Sequence, residues 1–281
     1  MAVLLGVMVA ASFGSGDFLG GRTSARSSTP GVLVIVQVTA MLAAIGVALV
    51  VSADVSTSDL SNGAVAGALN VVALGLLYLG LATGRMGVVA PITAVVASIV
   101  PVTYGLVQGE RPSNLVYAGV VMSVLAGALI GVTRDEHTSA GTNRAVLIAL
   151  AAGACFGSSF VFYARTSPES GMWPIFSARV ASVALVVVFV IVLRITGRGV
   201  AFPARRDRFV AMAGGILDVA GSTLILIAIR EDLIVTVTPV AALAPGVTVL
   251  LAWLFLHERI SRIQFGGLAV ALTGLVLIAA G

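Results

Sequence analysis

The chain has 281 residues, of which 59% are hydrophobic and only 10% charged, with a mean hydropathy of +1.11. That balance excludes a soluble globular domain and places the chain in a bilayer. The formal net charge of +4 and sequence pI of about 10.0 do not make it a nucleic-acid binder, because the basic residues are scattered over short loops and not gathered on one face.

Apolar runs long enough to cross about 30 Å of hydrocarbon as helices recur ten times, at 2–21, 31–51, 63–83, 88–108, 114–132, 145–164, 173–193, 209–228, 233–256 and 263–280. The expected fold is an all-α membrane protein of ten transmembrane helices. The first run lacks the basic start of a signal peptide and carries Asp17, so it reads as the first span. Asp17 suits either a site in the membrane or an interfacial helix end. Gln37, on the second span, can hydrogen-bond across helices as a ligand or as packing glue. The third span places Asn70 on one stripe with Gly63, Gly67, Leu74 and Tyr78. Tyr78 lies close enough to the span end to belong equally to an interfacial aromatic belt. Pro101 lies in the fourth span, which closes on "GER" (109–111), and the sixth holds the lone Cys155, which has no disulfide partner.

Arg179 lies about six residues into the seventh span, where it can snorkel to the headgroups, line a cavity or pair with Asp218. Asp218 sits near the middle of "GGILDVAGSTLILIA" (214–228) in the eighth span, on a stripe with Gly214, Gly221, Ser222 and Ile225. A central Asp costs about 3 kcal/mol on insertion scales, so it turns toward a cavity or a partner. Its expected roles are a coupling proton, a positively charged solute group, or a structural hydrogen bond to a neighbouring helix. The ninth span contains Pro245 and closes on "HER" (257–259), where Glu258, like Glu110, reads as a helix-terminus anchor more than as a ligand.

All sixteen basic residues are Arg. With loops assigned alternately to two sides, twelve fall on the side of the connections after spans one, three, five, seven and nine. Three (Arg111, Arg165 and Arg230) fall on the side of the termini, and Arg179 lies within a span. Short Arg-rich loops stay in the cytoplasm, so both termini are expected outside.

The chain also repeats itself. "FGSGDFLGGRTS" (13–24) aligns with "FGSSFVFYARTS" (156–167) at an offset of 143, and "GERPSNLVYAG" (109–119) with "HERISRIQFGG" (257–267) at an offset of 148. Two five-helix copies, 1–137 and 138–281, follow. An odd number of spans per copy inverts the second relative to the first, an arrangement that places a site at the midplane between halves, around a central cavity. The offset of 148 carries Asn70 onto Asp218.

The two copies, the "GER" and "HER" motifs and "FGSGDFLGG" in the first span resemble the EamA-type ten-helix carriers of the drug/metabolite transporter superfamily. The resemblance covers essentially the whole chain. It implies a secondary carrier of small metabolites or drugs, often an exporter, with a cavity built by both halves. It also implies cytoplasmic termini, against which the Arg count of twelve to three stands. The expected partners are a small solute, protons as coupling ion and the lipid bilayer of a bacterial cytoplasmic membrane, with a monomer or a homodimer equally open. Asp218, Asn70, Arg179, Asp17, Gln37 and Tyr78 form the candidate binding or coupling set, which suits a zwitterionic or polar solute as well as a cation.

Two other classes compete. "GSGD" (14–17) has the G-x-G-D form of membrane aspartyl proteases, in which Asp17 and Asp218 would share a proton, but no Tyr-Asp pair or Pro-Ala-Leu motif occurs. A non-transporting scaffold would leave the intramembrane charges without a use. The two histidines, His137 and His257, match no metal motif, and no metal or cofactor is expected.

Overall fold

A computed structural model describes residues 2–24, 26–50, 53–82, 86–131, 142–256 and 261–280. Peptide groups in hydrocarbon have no water to bond, so an apolar chain satisfies them within itself as helix. The described residues form eleven α-helices, one short 3-10 turn at Pro168–Ser170 and no strand. The helices are α1 (Ala2–Ser24), α2 (Thr29–Val50), α3 (Thr57–Ala82), α4 (Met86–Val107), α5 (Asn114–Gly131) and α6 (Thr142–Ala164), followed by α7 (Trp173–Ile195), α8 (Arg205–Glu231), α9 (Ile234–Ala241), α10 (Ala244–Leu256) and α11 (Arg262–Ala280).

Seven stretches are long and apolar enough to cross a membrane, and three shorter apolar ones, Ile92–Val107, Asn114–Leu129 and Arg262–Ile278, accompany them. Every predicted run falls on a helix except the ninth, which is interrupted at Ala242–Leu243. Pro245 therefore does not kink a continuous helix. It sits at the second residue of α10, where its missing N–H would lack an intrahelical partner anyway.

Polar helix starts extend beyond the hydropathy signal. α3 begins six residues early because Ser56 and Asp59 cap each other: the Asp59 N–H donates to Ser56 Oγ at 3.1 Å, and the Ser56 N–H donates to Asp59 Oδ2 at 3.2 Å. Ser261 and Gln264 do the same for α11, at 2.9 and 3.2 Å.

The outward faces are apolar: Leu42, Val50, Phe189, Ile216, Trp253 and Phe265 are all exposed, as lipid-facing side chains would be. Inside, helices of the two halves interleave. α1 packs on α8, α9 and α10, whereas α6 packs on α3 and α4; α2 packs on α7 and α8, whereas α7 packs on α2 and α3. Gly67 of α3 lies against the backbone of Ala178 on α7, and Gly215 of α8 against the carbonyl of Val36 on α2. Both approaches need glycine, because a Cβ there would meet main chain.

All eight residues of α9 are buried. Its first turn is held from another helix pair, since Glu110, after α4, accepts the Ile234 N–H at 3.1 Å and the Val235 N–H at 3.0 Å. A carboxylate on the free amides of a helix start satisfies orphan donors and opposes the positive end of the dipole. Glu110→Ala should cost about 1–3 kcal/mol through those two unsatisfied donors. The thermal midpoint in detergent checks this, and an unchanged midpoint would refute the anchoring role. The matching Glu258 lies outside the described residues, as does the boundary at 137/138.

Candidate functional site

Three helices bring the intramembrane polar residues together. On α7, Pro174 begins the helix and Arg179 follows one and a half turns on, pointing inward. The side chain is 1% exposed, so it does not snorkel to the headgroups. Its Nη1 donates to Asp218 Oδ2 of α8 at 2.5 Å and to Gln37 Oε1 of α2 at 3.3 Å. Its Nη2 donates to the Asp218 carbonyl at 3.3 Å and to Ser222 Oγ, one turn further along α8. Ser222 Oγ in turn donates to the Asp218 carbonyl at 2.9 Å.

Asp218 is paired in this geometry. An ionised carboxylate in a low-dielectric interior persists only when paired, and here its pair is a guanidinium bound at three further points. Ala40, Tyr163, Ala178, Val219 and Leu226 form a buried cluster on α2, α6, α7 and α8, the helices that carry the network and one neighbour. Two donors of the network, Gln37 Nε2 and Arg179 Nε, are buried without a partner among the described residues. They are available to an acceptor that a solute would bring.

Asp17 lies across from this group. α1 crosses α8 where Gly16 faces Gly214 and the Asp218 backbone, which puts Asp17 at the level of Asp218 and not at a wet helix end. Asp17 is half-buried and makes no hydrogen bond or ion pair among the described residues. Asn70 is buried on α3, whose main neighbours are α6 and α7, and no hydrogen bond joins it to the Arg179 network. The Tyr78 side chain lies outside the described residues.

Two members of the cluster were not among the candidates read from the sequence. Ser222 was visible only as one small residue on the Asp218 stripe. Tyr163 of α6, 3% exposed and close to Arg179, Asp218 and Ser222, carried no signal beyond a hydroxyl in an apolar run.

A second polar feature lies at the helix ends. A pocket of about 460 Å³ is lined by Asp54, Asp59, Arg165, Thr166, Ser167 and Glu169. Beside it, Arg230 at the end of α8 donates to the carbonyls of Gly171 (2.7 Å) and Ser167 (2.8 Å) and to the hydroxyls of Ser170 and Thr166. Asp59 accepts the Ser167 N–H at 2.7 Å, so the α6–α7 connection is tied to both α3 and α8. Hydrogen bonds from its own backbone N–H and from the Ser167 hydroxyl hold the Glu169 carboxyl below the usual range.

Comparison with known proteins agrees with this architecture. Residues 143–280 match the EamA-like transporter family. A solved crystal structure superposes with a TM-score of 0.73 at 16% identity, covering 98% of this chain and 95% of the other. At that identity the likeness speaks for the fold alone. No curated protein matches the chain.

Proposed function

Because residues 143–280 match the EamA-like transporter family, we propose that the chain is a membrane transporter of small solutes and, within that class, a proton-coupled exporter whose site is built around Arg179 and Asp218. The observation that carries this reading is the buried network of Arg179, Asp218, Gln37 and Ser222 where α2, α7 and α8 meet. Charged groups held at membrane depth are costly, and transport is the use that repays them. The unpaired Gln37 and Arg179 donors beside two carboxylates suit a small polar solute. The Arg179 pairing also favours carriage over a protease dyad, which needs Asp218 to share a proton with Asp17.

We read the ten runs as ten spans in two inverted repeats, 1–137 and 138–281. Two observations support this. The main helix pairs between the halves exchange when the halves are exchanged: α1 on α8 with α6 on α3, α2 on α8 with α7 on α3, and α1 on α10 with α6 on α4. The close approaches at Gly67 and Gly215, also 148 apart, fall on equivalent helix pairs.

Uptake into proteoliposomes, screened over amino acids, nucleosides and cationic drugs with and without a pH gradient, tests the function. Gradient-dependent accumulation of at least one class is expected, and none from any class would reject the reading. Topology has its own test. The Arg-rich segment 194–208 should be shielded in intact cells, so a Cys placed there should resist an impermeant thiol reagent until the membrane is opened. Immediate labelling would place the termini inside.

A further inference from the structure

The charges within the membrane do not balance. Asp17, Asp218 and Arg179 make two negatives and one positive, and the positive is committed. Arg179 is bound to Asp218 through side chain and backbone, and to Gln37 and Ser222 besides. Asp17 is left over.

Its surroundings offer it nothing else. α1 packs on α8, α9, α10, α2 and, at its edge, α11. α2, α9 and α10 contain no titratable residue over their described lengths, and α11 has only Arg262 at its first position. On α8 the remaining charged groups, Arg205, Arg206, Asp207, Arg208, Arg230 and Glu231, lie at the two ends, so the group facing Asp17 is Asp218, of like sign. On α1 itself Arg22 is exposed near the helix end and forms no ion pair among the described residues. The next residue, Phe18, is buried and pairs its ring with Phe255 of α10 at a centroid distance of 6.2 Å.

We propose that Asp17, not Asp218, is the exchange site of the carrier, neutralised in alternation by a proton and by a positively charged group of the substrate. A carboxylate at membrane depth that has no cation beside it has two ways to be neutralised: bind a proton or bind a cation. The balance is one for one. A cation arriving at Asp17 displaces one proton, and a proton arriving from the other side displaces the cation. Asp218 then has a positioning role, fixing Arg179 so that the guanidinium cannot neutralise Asp17. The substrate class follows: solutes carrying a single ammonium or other organic cation. This rests on the transporter reading but adds the residue and the charge.

The test reads protonation directly. Carboxyl-stretch infrared difference spectra of the full chain in liposomes, taken across pH, should contain a protonated-carboxyl band that is lost in Asp17→Asn and returns at a shifted position in Asp17→Glu. The Glu variant shows that loss of the band is not loss of the fold. A band that survives Asp17→Asn but is lost in Asp218→Asn overturns the assignment, as does the absence of any such band in the wild type. Adding tetramethylammonium, choline or ethidium to weakly buffered wild-type protein should release protons, and Asp17→Asn should release none. Silence from all three cations overturns the substrate class. Uptake of a neutral or anionic solute with a flat pH response would leave the transporter reading standing and remove Asp17 from it.

Discussion

Arg179→Met is expected to abolish gradient-driven uptake and to lower the unfolding midpoint of the solubilised protein. Arg179 is 1% exposed and Asp218 17%, so the pair is shielded from solvent. Removing the cation leaves a carboxylate, the Gln37 carbonyl oxygen and the Ser222 hydroxyl without their shared donor. Breaking one side of a buried ion pair costs about 3–5 kcal/mol, most of it the penalty of the stranded charge. The double substitution Arg179→Met with Asp218→Leu removes both charges and should recover most of that stability. Transport should not recover, because nothing then orients the site. Melting curves and uptake of the two variants, compared with the wild type, separate the two effects. A single Arg179→Met that melts and transports like wild type would reduce the network to decoration.

Gly67→Leu should prevent the protein from being recovered folded. A Cβ at position 67 would meet the Ala178 backbone of α7, which cannot step aside as a side-chain end could. The same contact holds a hydrogen bond between the helices, from Ser182 Oγ to the Gly67 carbonyl at 2.8 Å. Overpacking a well-filled interior costs about 1–3 kcal/mol when side chains can shift. Here two helix axes would have to separate, and Arg179, one residue beyond Ala178, would be carried off its partners. Size-exclusion profiles of membrane extracts report the outcome. A monodisperse Gly67→Leu protein with the wild-type midpoint would mean that α3 and α7 do not depend on this approach.

Much of this was legible in the sequence for one physical reason: charge and amide groups are expensive in lipid, so each one present has a purpose. Asp218, Arg179, Gln37 and Asp17 could be singled out on that ground alone. Which of them meet was not legible, because helix periodicity describes a face but not the helix that will cover it. The repeat equivalence of Asn70 and Asp218 pointed to a shared position, yet α3 packs chiefly on α6 and α7, and Asn70 is not bonded to the network. Serine and tyrosine hydroxyls carry too small a transfer penalty to stand out, which hid Ser222 and Tyr163. The interruption of the ninth run was hidden because hydropathy stays high across Ala242–Leu243 and no charged residue marks the break. The early starts of α3 and α11 were hidden by the reverse: hydropathy falls off at Ser56 and Ser261, while capping carries the helix into polar sequence.

The interleaving of helices bears on how the protein is made. α1 finds its main cover on α8, and α3 on α6 and α7, so each early helix is matched to a partner still to be synthesised. While the ribosome is completing the sixth span, the groove at Gly67, the buried face around Asn70 and the carboxylate of Asp17 are all turned toward lipid or toward the insertion machinery. Neither half is therefore expected to be a folding unit. Expressed alone, residues 1–131 should insert and be degraded, while co-expression with residues 142–281 should rescue them. On the proposed reading of two inverted repeats, a half-length chain would meet this same requirement by pairing two copies in opposite orientations, so that an encounter between molecules takes the place of synthesis order.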